Sequence, residues 1–87
     1  MYKAEINVTL KKSVLDPQGQ TVLHALSSLG YQDAKALRIG KYFELIVDEK
    51  DRKTAESRIR EMCDKVLINP VIEEYSLQLT ENAVLRG

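Results

Sequence analysis

The stretch Ala34 to Asp48 constrains this chain more than any other. Its apolar side chains, Leu37, Ile39, Phe43, Leu45 and Val47, all fall at odd positions, so along one uninterrupted strand they share a face. Only Lys41 breaks that face. The competing reading is a two-residue hairpin at Gly40-Lys41, because glycine suits the first central position of a type II′ turn. That turn would pair Ile39 with Tyr42 and Leu37 with Glu44, sending Leu37 and Ile39 to one side and Phe43, Leu45 and Val47 to the other. A bulge or a longer loop could repair the mismatch. The economical reading is a single long strand, bent at Gly40 and serving two sheets. A chain of 87 residues cannot build both, so the pattern predicts a strand-exchanged dimer.

The segments on either side follow the same logic. Ala4, Ile6, Val8 and Leu10 alternate with Lys3, Glu5, Asn7 and Thr9, the signature of a half-buried strand over Tyr2 to Leu10. Asp16-Pro17 signals a helix start, with Asp16 as cap and Pro17 at the first position, where no donor is needed. Val22, Leu23, Ala25, Leu26 and Leu29 then form one apolar stripe with Gly19 on the same side, and Gly30 supplies a stop. A second helix, capped by Asp51, carries Ala55, Ile59, Met62, Cys63 and Val66 at helical spacing. Glu56-Arg60 and Glu61-Lys65 add acid-before-base pairs on its exposed side. Asn69-Pro70 ends it. A last strand presents Tyr75, Leu77 and Leu79 on one side and Glu74, Ser76 and Gln78 on the other.

The expected architecture is α+β: an antiparallel sheet with two helices, a ferredoxin-like βαβ(β)αβ unit whose long central strand is exchanged in a dimer. In that scheme the first strand, first helix and half of the long strand join the other half, the second helix and the last strand of the mate. Residues 1–80 form one domain and 81–87 a loose C-terminal tail.

Composition removes several functions. Thirteen basic and thirteen acidic residues cancel, leaving no charge excess to attract nucleic acid or an anionic membrane. The lone Cys63 cannot form an internal disulfide and fits a reducing compartment. Neither a secretory leader nor a membrane-length apolar run is present in the sequence, so a cytoplasmic location is expected. His24, the single histidine, sits on the polar helix face without a nearby partner, and Cys63 lies on an apolar stripe, where an inert core thiol is the plain reading. Asp16-Pro17-Gln18-Gly19 lacks the glycine pattern of a phosphate loop; a cap plus a tight packing site accounts for it better than an anion site. Arg38 and Lys41, flanking Gly40, fit either a contact with a partner's carboxylates or phosphates, or a charged exposed bend. Tyr2, Tyr42, Phe43 and Tyr75 lack the basic context of a base-stacking sheet and read as packing. The arginine-bearing phosphate loop of an acylphosphatase is missing after the first strand.

Taken together, Val14-Leu15-Asp16-Pro17-Gln18-Gly19, Arg38-Ile39-Gly40-Lys41 and Asn69-Pro70-Val71-Ile72-Glu73-Glu74-Tyr75 resemble the PurS family, the small subunit of phosphoribosylformylglycinamidine synthase. The resemblance covers about residues 1 to 80. It implies a non-catalytic, dimeric bridge between a glutaminase subunit and an ATP-dependent synthetase subunit, with pairing of two dimers into a tetramer as the alternative assembly. That complex makes formylglycinamidine ribonucleotide, glutamate, ADP and phosphate from formylglycinamide ribonucleotide, glutamine and ATP. ATP and magnesium are then expected on the synthetase partner, and neither a cofactor nor a metal on this chain. By motif position, the residues expected in partner or dimer contacts are Asp16, Gly19, Arg38, Gly40, Lys41, Tyr42, Asn69 and Pro70. An ACT-like ligand-sensing module, also ferredoxin-like and dimeric, is the alternative from another class, and an RNA-binding module is a third.

Overall fold

Local signals set the element boundaries. The computed structural model describes residues 1–81 and contains strand β1 (Tyr2–Leu10), helix α1 (Pro17–Ser28), strand β2 (Gly40–Val47), helix α2 (Arg52–Met62), a π-helical turn over Cys63–Leu67, and strand β3 (Glu73–Glu81). Asp16 caps α1 by accepting from the Gly19 amide at 3.0 Å, with Pro17 at the first helical position. Asp51 caps α2, its carboxylate accepting from the Thr54 amide at 3.0 Å and the Thr54 hydroxyl at 2.8 Å. Gly30, at φ 98°, takes the left-handed conformation that ends α1 and that a side chain would resist.

The three strands form one antiparallel sheet in the order β2-β1-β3. Ile6 stands opposite Phe43 on one side and Leu77 on the other, and Ala4 opposite Leu45 and Leu79. Directly opposed residues share a face, so the alternation seen in each strand merges into one apolar surface. Helix α2 covers that surface. Ile59 and Cys63 close over Ala4, Ile6 and Val8, with Ile68 beside them and Phe43, Leu45, Tyr75, Leu77 and Leu79 around the margin.

Three features depart from the sequence pattern. Strand β2 begins only at Gly40, and Ala34 to Ile39 lie outside any ladder, because no strand stands beside them to accept their hydrogen bonds. The hairpin at Gly40-Lys41 is absent, as the long-strand reading expects; both residues already pair with β1, Gly40 opposite Thr9 and Lys41 opposite Val8. The expected division of an exchanged pair also changes. Strand β1 pairs with β2 and β3 of its own chain, so the part left outstretched is α1 with the arm 34–39, not β1. Finally, Val66 is 80% exposed while Ile68 is 8% exposed. The π-helical turn inserts an extra residue into the helical phase, which swings Val66 outward and brings Leu67 and Ile68 to the core. The tail expected from residue 81 lies, from 82 on, outside the described residues, while Thr80 and Glu81 pair with Lys3 and Tyr2 in the sheet.

Helix α1 stands away from all this. Only Gly19 of the helix is buried, and the core contains none of its side chains. The radius of gyration is 16.4 Å, against about 12 Å for a compact domain of this length.

Candidate subunit interface

The motifs singled out in the sequence meet at one end of the sheet. The Asp16 carboxylate caps α1 through Oδ1 and, through Oδ2, accepts the backbone N–H of Ile39 at 3.0 Å. The bond from Ile39, then that from Gly19, and the nearby Arg38 charge hold this carboxyl below the usual carboxylate range, since each favours the ionised form. Arg38 donates to the carbonyl oxygen of Leu10, at the end of β1. Gly19 belongs here for a steric reason. A Cβ on it would lie 2.3 Å from the Asp16 carboxylate and 2.9 Å from the Leu37 carbonyl oxygen. Gly40 is equally tight, with a Cβ placed 2.0 Å from the Val8 carbonyl oxygen. Asp16, Gly19, Arg38 and Gly40 therefore form one junction between β1, the start of α1 and the arm.

A second junction lies alongside. Lys41 Nζ approaches Glu73 at 3.4 Å, and Glu73 accepts the Asn69 amide at 2.7 Å. Asn69 in turn accepts from Val71 through its side chain at 3.1 Å and from Glu73 through its carbonyl at 2.8 Å. Lys41, Asn69 and Glu73 thus fasten the turn before β3 to the first residues of β2. Pro70 is exposed and takes no polar part in this junction.

Tyr42 points to the other, polar face of the sheet. Its hydroxyl donates to the Glu5 carboxylate at 3.0 Å or to Glu44 at 3.2 Å. Glu5 and Glu44 are directly opposed, and Lys3 lies 3.9 Å from each, which offsets the repulsion of like charges across strands. Desolvation, with the two carboxylates behind it, pushes the Tyr42 hydroxyl up to about 12. Tyr42 is therefore separate from the Asp16 junction. Sequence reasoning missed Lys3, Glu5, Glu44 and Glu73. The i, i+2 spacing of Lys3 and Glu5 was a visible signal, whereas the Glu5–Glu44 opposition exists only once the register is known.

The arrangement offers surfaces rather than a reaction centre. Among the described residues no three His, Cys, Asp or Glu side chains are grouped as metal ligands. His24 lines an open groove with Gln20, Ser27, Gln32 and Lys35. Cys63 is fully buried, and burial first, then Asp64, pushes its thiol up, away from the nucleophilic thiolate. No helix of the described residues is long and apolar enough to cross a membrane. Around α1 several apolar side chains stay open: Val22 at 41% exposure on the helix, Leu29 at 75% at its C-cap, and Leu15 and Tyr31 beyond its two ends.

Comparison with known proteins gives these surfaces a context. Residues 3–81 match the family model PurS, described as phosphoribosylformylglycinamidine (FGAM) synthase. The phosphoribosylformylglycinamidine synthase subunit PurS of Bacillus subtilis (strain 168) is 48% identical over 81 residues, covering 93% of this chain and 95% of that protein. The solved structure of B. subtilis PurS superposes with a TM-score of 0.85, over 93% of this chain and all of the other (100%). A chain in the structure of PurLQS from Thermotoga maritima, 32% identical, superposes with a TM-score of 0.83 over 91% of this chain and 96% of its own length. With a family model spanning nearly the whole chain and relatives matched along almost their full length, the chain belongs to the PurS family, subunits of phosphoribosylformylglycinamidine synthase.

Proposed function

We propose that this chain is a non-catalytic bridge, working as a strand-exchanged homodimer that positions the glutaminase and synthetase subunits of formylglycinamidine ribonucleotide synthesis. One observation carries the reading: α1 has an apolar stripe yet lies outside the core of its own chain, while β2 is an edge strand of the sheet. In a second copy, the arm 34–39 fits beside that β2 edge as a fourth strand, completing a ferredoxin-like unit, and α1 fits the sheet next to α2. The groove lined by Val47, Ala55, Arg58 and Met62 lies between β2 and α2, where such a helix would sit.

The resulting two-fold body has no chemistry to perform. Its contribution is to hold the glutaminase against the synthetase so that ammonia passes between them instead of escaping to solvent, with ATP and magnesium bound by the synthetase. The same reading places the protein in the cytoplasm and treats residues 1–80 as one domain. Asp16, Gly19, Arg38, Gly40, Lys41, Asn69 and Pro70 serve the exchange end of the dimer, and Tyr42 its polar sheet face. Light scattering at micromolar concentration is expected to return twice the chain mass, and a monomer would refute the exchange. Reconstitution with the two catalytic subunits tests the bridge: leaving this protein out is expected to abolish glutamine-dependent synthesis while sparing synthesis from free ammonia. Unchanged glutamine-dependent synthesis would refute it.

A further inference from the structure

The two helix-capping aspartates differ in a way that capping does not explain. Both bonds to Asp51 come from one residue, Thr54, three positions ahead. Asp16 divides its carboxylate: Oδ1 holds the Gly19 amide and Oδ2 the Ile39 amide, 23 residues away, each at 3.0 Å. A carboxylate is a rigid planar group, so two amides held on its two oxygens have a fixed mutual placement. The space behind it is closed by the Leu37 carbonyl oxygen against Gly19, and Arg38 anchors the same stretch to the Leu10 carbonyl. The Ile39 N–H is also the donor that a turn over Gly40-Lys41 would direct at the Tyr42 carbonyl. While Asp16 holds it, an Ile39–Tyr42 pair closing that turn would lack one of its two bonds.

We propose that Asp16 is a positioning residue for assembly: by capping α1 and capturing Ile39 together, it pre-sets the angle between helix and arm, so that each copy offers its exchange element already ordered. This rests on the exchanged dimer proposed above. Ordering a free arm at the moment of association weakens binding, and ordering it beforehand removes that cost. A two-fold dimer contains the clamp twice, so its loss counts twice.

The test uses the full chain in three variants. Asp16→Ser keeps a hydroxyl able to cap α1 but too short to reach Ile39, Asp16→Asn sets an amide donor where one of the two N–H groups needs an acceptor, and Asp51→Ser is the control at the purely local cap. Sedimentation equilibrium across a dilution series gives the dimer dissociation constant, and amide hydrogen exchange reads Ile39 and Gly19 separately. Both Asp16 variants are expected to dissociate about a hundredfold more readily, roughly tenfold for each lost clamp, with Asp51→Ser unchanged. Ile39 is expected to lose protection in Asp16→Ser while Gly19 keeps it. A wild-type dimer whose dissociation constant is unmoved by both Asp16 variants, or an Ile39 amide that exchanges freely in the wild-type protein, overturns the clamp alone. A wild-type monomer at micromolar concentration overturns the exchange and the clamp with it.

Discussion

Truncating Ile68 and Val66 to alanine, separately, tests the account of the core at its least obvious point. A continuous α-helix would bury Val66 beside Met62 and Cys63; the π-helical turn over Cys63–Leu67 instead leaves it 80% exposed and buries Ile68 to 8%. Ile68→Ala removes three carbons from a packed site, about 2.4 kcal/mol at ~0.8 kcal/mol each. The cavity left behind raises the expected loss to about 3 kcal/mol. Val66→Ala removes methyl groups that remain in water, and alanine is the better helix former, so its effect should stay within about 0.5 kcal/mol of zero. Urea titration followed by far-UV circular dichroism measures both differences. One protein concentration must serve throughout, because unfolding is linked to association. Equal losses at the two positions, or the larger loss at Val66, would refute the phase shift and with it the assignment of what closes the lower end of the core.

Three further outcomes follow from the same geometry. Gly40→Ala sets a Cβ 2.0 Å from the Val8 carbonyl oxygen, a backbone atom within the ladder, and should cost on the order of 2 kcal/mol in the same titration; a neutral result would mean that β1 and β2 do not approach as described. Asp16 and Asp51 both ionise below their ordinary value, Asp16 chiefly through the Ile39 bond and Asp51 through Thr54. Their stabilisation is therefore fully present above the unfolded carboxyl value near 4 and is lost as pH falls through the depressed folded values. Urea midpoints should accordingly fall more steeply below pH 4 for wild-type protein than for Asp16→Asn, and parallel profiles would contradict the Asp16 bonding. Cys63, buried and with its thiol pushed up, should react with a thiol reagent only as fast as the core opens; labelling of native protein at the unfolded rate would contradict its burial.

What could be read in advance was whatever depends on near neighbours. Asp16-Pro17 and Asp51 start helices through contacts three residues away. The alternation in β1 and β3 needed only the residues themselves, and the i, i+4 pairs Glu56–Arg60 and Glu61–Lys65 form at 3.3 and 3.5 Å. The parity across Gly40 weighed against the hairpin, and Gly40 and Lys41 pair with β1 instead. The same parity did not reveal that residues 34–39 would lack a ladder, because hydrogen bonding requires a neighbour that this chain uses elsewhere. The bond from Ile39 to Asp16 was out of reach for another reason: it joins a residue to a cap whose local role already looked complete. Val66 was misplaced because one extra residue in a turn leaves no compositional trace. Lys41 was open between a partner contact and a bend, and its ion pair with Glu73 ties it to the turn before β3.

The order of the sheet has a bearing on biosynthesis. The middle strand is the first to leave the ribosome, and both its flanking strands lie downstream, one of them ending at Glu81. A nascent chain can wind α1 early, yet it has nothing to lay against either side of β1 until translation is well advanced. Until then the strand that ends most deeply buried is unprotected, so the period of greatest aggregation risk ends only when β3 has emerged.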